Sequence, residues 1–260
     1  MPGAPAVQAM AAGDGRGFPV RIIFSACMEI ELPLSILPQP DNSSCGPTCL
    51  HAVYAYYGDR ISLDTVINET RFLVDGGTLA VFLACHALRR GYRASIYTYN
   101  LQVFDPTWFL SPDIDISERL TRQAEAKDDP KLRDATRGYL EFLSLGGKLK
   151  YTDLTTRLLR SLIRKRLPVL TGLSFTYLYR NMREFGPDSH DDDIRGNPGG
   201  HFVVLSGYNR KDRTILIKDP YRRNAAADVS DYHVNIDRVI CSILLGVLTY
   251  DANLLVIYPG

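Results

Sequence analysis

The chain has 260 residues, 45% of them apolar and 23% charged, with a net charge of +1, the balance of an ordinary globular protein. Thirty basic residues stand against 29 acidic ones, and no basic stripe is interleaved with aromatics, which speaks against nucleic acid as a partner. The longest apolar run, Val239 to Leu248, is about half of the ~20 residues a membrane helix needs, so it reads as core and no membrane span is expected.

Met1 to Gly17 is rich in Ala, Gly and Pro, has no periodicity, and lacks the pattern of a secretory signal. Residues 1–27 are expected to form a disordered extension ahead of one domain over 28–260. The five cysteines, Cys27, Cys45, Cys49, Cys85 and Cys241, are an odd number without disulfide-like spacing. That suits a reducing, cytoplasmic location. Cys45 and Cys49 lie one helical turn apart, but zinc would need a second pair, so no metal or other cofactor is expected. Cys49 reads as a small buried hydrophobe.

Pro47 fits the first turn of a helix whose stripe is Leu50, Val53, Tyr54 and Tyr57, and Gly58 is its stop. Ile61 to Asn68 reads as a short second helix. After the Gly76-Gly77 break, Thr78 is expected to cap a third helix that ends at Gly91. Arg93 to Tyr99 alternates as a strand. Residues 113–145 are charged and helical, with Pro112 and Pro130 as punctuation, inside an insertion at about 100–150. Asp153 to Arg166 is an amphipathic helix with a basic, solvated face. Pro168 to Leu173 reads as a buried strand and Asn253 to Tyr258 as the last one. There is no internal repeat. Gly146-Gly147-Lys148 continues into Leu149 and is not a phosphate-binding loop.

The informative segment is Gln39-Pro40-Asp41-Asn42-Ser43-Ser44-Cys45-Gly46-Pro47-Thr48-Cys49-Leu50. It sets Cys45 where free backbone N–H groups and the positive helix end favour a thiolate. A base follows far downstream. Gly199-Gly200 leads into the strand His201 to Tyr208, a turn at Asn209 to Asp212, and a second strand, Arg213 to Lys218, closed by Asp219-Pro220. Residues equidistant from a hairpin turn face each other, and the midpoint between His201 and Asp219 is residue 210, inside the turn. The imidazole and the carboxylate are therefore expected to meet at the same end of the hairpin, within a one-residue slip of the turn's register. The aspartate would orient the ring and stabilise its charged form.

These residues resemble a known family. Gln39, the Cys45 to Leu50 run, Gly200 to Leu205 and Asp219-Pro220 look like the papain-like cysteine peptidases that remove double-glycine leaders from bacteriocin precursors. The resemblance covers roughly residues 32–100 and 165–222. It implies an α+β fold, with an N-terminal helical part carrying the nucleophile and a C-terminal antiparallel sheet carrying histidine and aspartate. It implies a Cys45–His201–Asp219 triad, with Gln39 in the oxyanion hole. It also implies a peptide or protein substrate, and a functional partner encoded nearby: a precursor peptide, a transporter or a peptide ligase. The chain departs from the family in having Ser44 before the nucleophile and in the 100–150 insertion.

Substrate contacts are expected from Gly199, Gly200, Asp191 and Asp192, in a mobile loop from Glu184 to Gly200. That loop should form a negative wall of the cleft and favour basic peptides. The leading reading is a cysteine peptidase or amidase working through a Cys45 thioester. An acyltransferase would pass the same thioester to an amine. A non-catalytic binding module of this fold is the third possibility, and the intact Gln39–Cys45–His201–Asp219 set argues against it.

Overall fold

Two signals at its ends make the nucleophile segment a helix: Pro47 in the first turn and Gly58, at φ +82°, just past the last. In the computed structural model the described residues are 30–74, 76–186, 189–221 and 230–260. The expected extension at 1–27 lies outside them, as does the expected domain start at Met28. In chain order the first elements are β1 (Ile30–Glu31), α1 (Cys45–Tyr56), α2 (Leu63–Glu69), α3 (Ala80–Arg89) and β2 (Tyr92–Thr98). Next come α4 (Ile116–Ala126), α5 (Pro130–Ser144), β3 (Lys148–Lys150), α6 (Thr156–Arg164), β4 (Val169–Ser174) and α7 (Phe175–Tyr179). The rest are β5 (Glu184–Phe185), β6 (His190–Asp191), β7 (Gly200–Asn209), β8 (Thr214–Lys218), β9 (Asp231–Asn235), α8 (Ile236–Leu245) and β10 (Asn253–Pro259).

The fold is α+β, as expected from the sequence, with Cys45 on the first helix and His201 on the sheet. One sheet runs β3-β2-β10-β4-β7-β8-β9, with β1 added to β7. Its pairs are antiparallel except β2–β3, so the sheet is mixed rather than purely antiparallel. Helices cover both faces. Phe202 and Val204 of β7 pack with α1, α3 and α5, while Val203 and Leu205 pack with α6 and α8. A strand buried on both faces reads as a continuous apolar run, which is what β7 shows.

Two local expectations differ in detail. Thr78 does not cap α3: Leu79 is the N-cap residue, and the Thr78 hydroxyl donates to the Arg71 carbonyl at 2.7 Å. The apolar run Val239 to Leu248 is only half core. It folds as the end of α8 and a 3-10 turn, leaving Leu244, Leu245 and Leu248 exposed. Residues 100–150 are packed into the main core through Phe104, Leu120, Leu132, Tyr139 and Phe142.

The seam between α5 and α3 depends on Gly138. A Cβ there would sit 2.6 Å from Phe82 Cε1 and 2.8 Å from Val81 Cγ1. Gly138→Ala should therefore lower stability by ~1–3 kcal/mol despite alanine's better helix propensity. A urea-unfolding midpoint shows it.

Candidate active site

Ser44 is the N-cap of α1, yet its side chain does not cap the helix. Its hydroxyl donates instead to Asp41 Oδ2 at 2.5 Å, while Asp41 Oδ1 accepts the Ser43 N–H at 2.7 Å. The Ser44 bond is the main cause that holds the Asp41 carboxyl below its usual range. The first-turn N–H groups of α1 are thus left without a side-chain acceptor. No acidic residue in that turn cancels the helix dipole. Cys45 is the first residue of this helix. Asp41 is a site-building residue that sequence reasoning passed over, although Asp-x-Ser is an ordinary turn signal.

Cys49 ties this helix to the base-bearing strand. Its thiol is fully buried and donates to the Phe202 carbonyl at 3.3 Å, one residue beyond His201. Burial first, then the Cys45 and Asp219 charges, push its pKa well above the ordinary thiol value. It stays a thiol.

His201 and Asp219 meet, but not directly across the hairpin. Val204 pairs with Lys218 and Asn209 with Thr214, and the register shifts at Ser206 between Leu205 and Gly207. Continued by one step, this register sets Asp219 opposite Val203, so His201 is its diagonal neighbour on the same face. The imidazole Nε2 lies 2.7 Å from Asp219 Oδ1. Asp219 Oδ1 also accepts the Tyr221 N–H at 2.8 Å, and Oδ2 accepts the hydroxyls of Tyr232, at 2.6 Å, and Tyr179. Both tyrosines were missed from the sequence, and no spacing in α7 or β9 could have flagged them.

The electrostatics agree with an ion pair. Burial opposes a charged ring, but the Asp219 charge and hydrogen bond, joined by the contact with Cys45, raise the His201 pKa to about 10. Burial likewise opposes the Asp219 carboxylate, and the His201 charge and its three side-chain hydrogen bonds lower its pKa nonetheless. With Nε2 turned to Asp219, the other ring nitrogen is the one left for Cys45.

Residues 121–238 match the Peptidase_C39 like family. The likeness to C39-type cysteine peptidases read from the sequence is borne out there. The matched stretch is less than half of the chain and contains His201 and Asp219 but not Cys45 or Gln39. Among solved structures, a double glycine motif protease from an AMS/PCAT transporter, in complex with its leader peptide, aligns at 14% identity and TM-score 0.42, over 89% of this chain and 96% of its own. A C39-like peptidase from Bacillus anthracis aligns at 13% identity and TM-score 0.49, over 89% and 98%. Xylellain, a cysteine protease from Xylella fastidiosa, aligns at 14% identity and TM-score 0.45, over 97% and 95%. No curated protein matches the chain.

Gln39 stands beside the Asp219-Pro220 segment. Its backbone N–H donates to the Pro220 carbonyl at 2.9 Å, its Nε2 donates to the Asp41 carbonyl at 2.7 Å, and its Oε1 is buried without a partner. Gly200 opens β7 opposite Ser174, where a Cβ would meet Thr249 Oγ1 at 2.7 Å. Gly199 lies against Phe175, whose ring would be 1.9 Å from an added Cβ.

The loop from Glu184 to Gly200 has more regular structure than a mobile wall implies. β5 and β6 pair as a short hairpin, with Asp191 opposite Glu184, and Glu184 bridges to Asn197. Asp192 is spent within its own turn, accepting from the Ile194 and Arg195 N–H groups and from Arg195 Nε. These bonds, the Arg195 ones foremost, hold its pKa at about 2. Asp188 lies outside the described residues. The open groove beside this loop, about 520 Å³, is lined by Arg180, Arg183 and Arg238 with Tyr177, Pro198 and Leu248. The charged side chains that line this groove are arginines.

Cys45 should be the most reactive thiol. One equivalent of iodoacetamide near neutral pH should label it ahead of Cys49 and Cys85, whose thiols burial pushes well above the ordinary value, and of Cys241, which is exposed but is not at a helix N-terminus. Peptide mapping reads the outcome. Preferential labelling of any other cysteine would remove Cys45 from the site.

Proposed function

We propose that the protein is a cysteine peptidase or amidase acting on a peptide or protein substrate. The observation that carries this reading is one imidazole placed between a helix-N-terminal thiol and a buried carboxylate with four hydrogen-bond partners.

The Cys45 Sγ attacks the scissile carbonyl carbon, and the C=O π pair moves onto oxygen. The Cys45 backbone N–H faces the resulting oxyanion, and the Gln39 amide joins it by releasing the Asp41 carbonyl. His201 gives its proton to the departing amine as the C–N bond breaks, leaving a thioester on Cys45. The neutral ring then takes a proton from water, whose oxygen attacks the thioester. The acid departs, and His201 and Cys45 return to their charged pair. Asp219 stays ionised throughout and keeps the ring from turning, while Tyr179 and Tyr232 fix the carboxylate.

His201→Ala should abolish turnover of peptidyl-coumarin substrates, a loss of at least ~10²-fold. Asp219→Asn should keep the fold and lose roughly 10–100-fold, because the orienting group is replaced by an amide that can still bond the ring. Wild-type activity in Asp219→Asn would place the orienting group elsewhere. Adding a primary amine to the same assay separates hydrolysis from acyl transfer by the product formed.

The pH dependence follows from the His201 pair. Its folded value lies above the ordinary imidazole value, so its contribution to stability is complete below ~6.5 and is lost as pH rises towards about 10. Melting temperatures of wild type and Asp219→Asn should therefore converge as pH approaches about 10.

A further inference from the structure

Asp251 lies on the α1 side of the sheet, in the space that two glycines leave open. A Cβ on Gly172 would be 2.5 Å from the Asp251 Cγ, and one on Gly200 would be 3.2 Å from its Oδ2. Gly172 pairs with Phe202, and Gly200 directly precedes His201, so the carboxyl sits against the strand that carries the catalytic base. It is 5% exposed, and its Oδ1 is buried without a hydrogen-bond partner. Oδ2 is 3.1 Å from the Thr249 hydroxyl, which is also 3.1 Å from the Gly246 carbonyl and has a single proton to share.

The backbone is bent to put the carboxyl there. Tyr250 at φ +67° and Ala252 at φ +61° flank Asp251, both in the left-handed region that side chains other than Gly and Asn adopt at a cost. The segment is clamped: the Asp251 N–H donates to the Gly246 carbonyl, Asn100 Nδ2 to the Tyr250 carbonyl, and the Tyr99 N–H to the Ala252 carbonyl. Strain held by clamps around an unsatisfied buried acid is the pattern found at functional sites rather than in plain packing.

We propose that Asp251 is a positioning residue for the peptidase chemistry, a second buried carboxylate whose charge, acting across Gly200, helps hold the His201 imidazolium. The inference rests on the thiolate–imidazolium reading of the site. Around Asp251 lie Thr249, Lys131 and Tyr139 on α5, and, through the backbone of β7, the charge of His201, with Lys131 Nζ 3.5 Å from the Thr249 carbonyl. Besides this through-backbone charge, His201 is surrounded by Asp219, Cys45 and the Tyr221 ring. Burial is the main cause that raises the Asp251 pKa, to about 7, against the pull of Thr249, Lys131 and His201. Above that pH the carboxylate is charged and opposes loss of the His201 proton.

The test is the rate of Cys45 alkylation by iodoacetamide from pH 5 to 10.5, on wild type and Asp251→Asn. The alkaline inflection reports deprotonation of the imidazolium. In Asp251→Asn it should move down by about half a unit to one unit. Asp251→Ala, which removes the same charge and puts no amide between Gly172 and Gly200, should move it the same way, and it decides the matter if Asp251→Asn does not fold. Because the native carboxyl holds its proton to higher pH than an unfolded one, it lowers stability as pH rises between about 4 and 7. Asp251→Asn should therefore melt no lower than wild type at pH 8. An inflection unmoved within about 0.2 unit makes Asp251 structural only and overturns the inference, while the peptidase reading stands. If wild-type Cys45 shows no fast phase near neutral pH, the peptidase reading itself fails and the inference falls with it.

Discussion

Everything at this site depends on keeping one carboxylate ionised inside the protein. Asp219 is 4% exposed, and a bare carboxylate at that depth would take up a proton rather than stay charged. Four donors prevent it: the His201 ring, the Tyr221 N–H, and the hydroxyls of Tyr179 and Tyr232. They come from β7, the segment after β8, α7 and β9. The fold is thus wrapped around a point charge, and each of those elements has a polar reason for its place in addition to its apolar face.

The nucleophile reaches that charge by a different kind of contact. α1 is anchored through Cys49 to the backbone of β7, and Gly46 lets it settle against Phe202, since a Cβ there would be 3.3 Å from the ring and 2.5 Å from Thr78 Cγ2. Two small, apolar-looking residues therefore set the approach of Cys45 to His201. Meanwhile Asp41 draws the Ser44 hydroxyl away from the helix end, so the helix has no side-chain cap.

Cys45, His201 and Asp219 were legible in the sequence because each sits at the end of an element whose boundary has a strong local marker: Pro47, the Gly199-Gly200 pair and Pro220. The way they meet was not. Counting from residue 210 puts His201 opposite Asp219, but the hairpin closes on Asn209 and Thr214, which carries the register past that pairing; the extra residue at Ser206 takes one step back and leaves Asp219 opposite Val203, diagonal to His201. A bulge has no reliable sequence signature. Tyr179, Tyr232 and Asp251 were invisible for a related reason. Their roles depend on which elements lie side by side, and periodicity does not report that. The same holds beside the 184–200 loop: Asp192 is used up by its own turn, and the arginines that line the neighbouring groove are spread over α7, the segment before β5, and α8.

The position of β10 has a consequence for how the molecule is made. It is the last strand in sequence, yet it lies between β2 and β4 in the middle of the sheet, with β4 in turn the neighbour of β7. Until residues 253–259 have emerged and inserted, β2 and β4 have no partner on that side, and the helical half cannot be joined to the half that holds His201. Such late, long-range closure makes folding slow, with an unpaired edge exposed meanwhile. It also means that a nascent chain already carrying Cys45, His201 and Asp219 has no assembled triad. On the proposed peptidase reading, activity would appear only once the strand at residues 253–259 is in place.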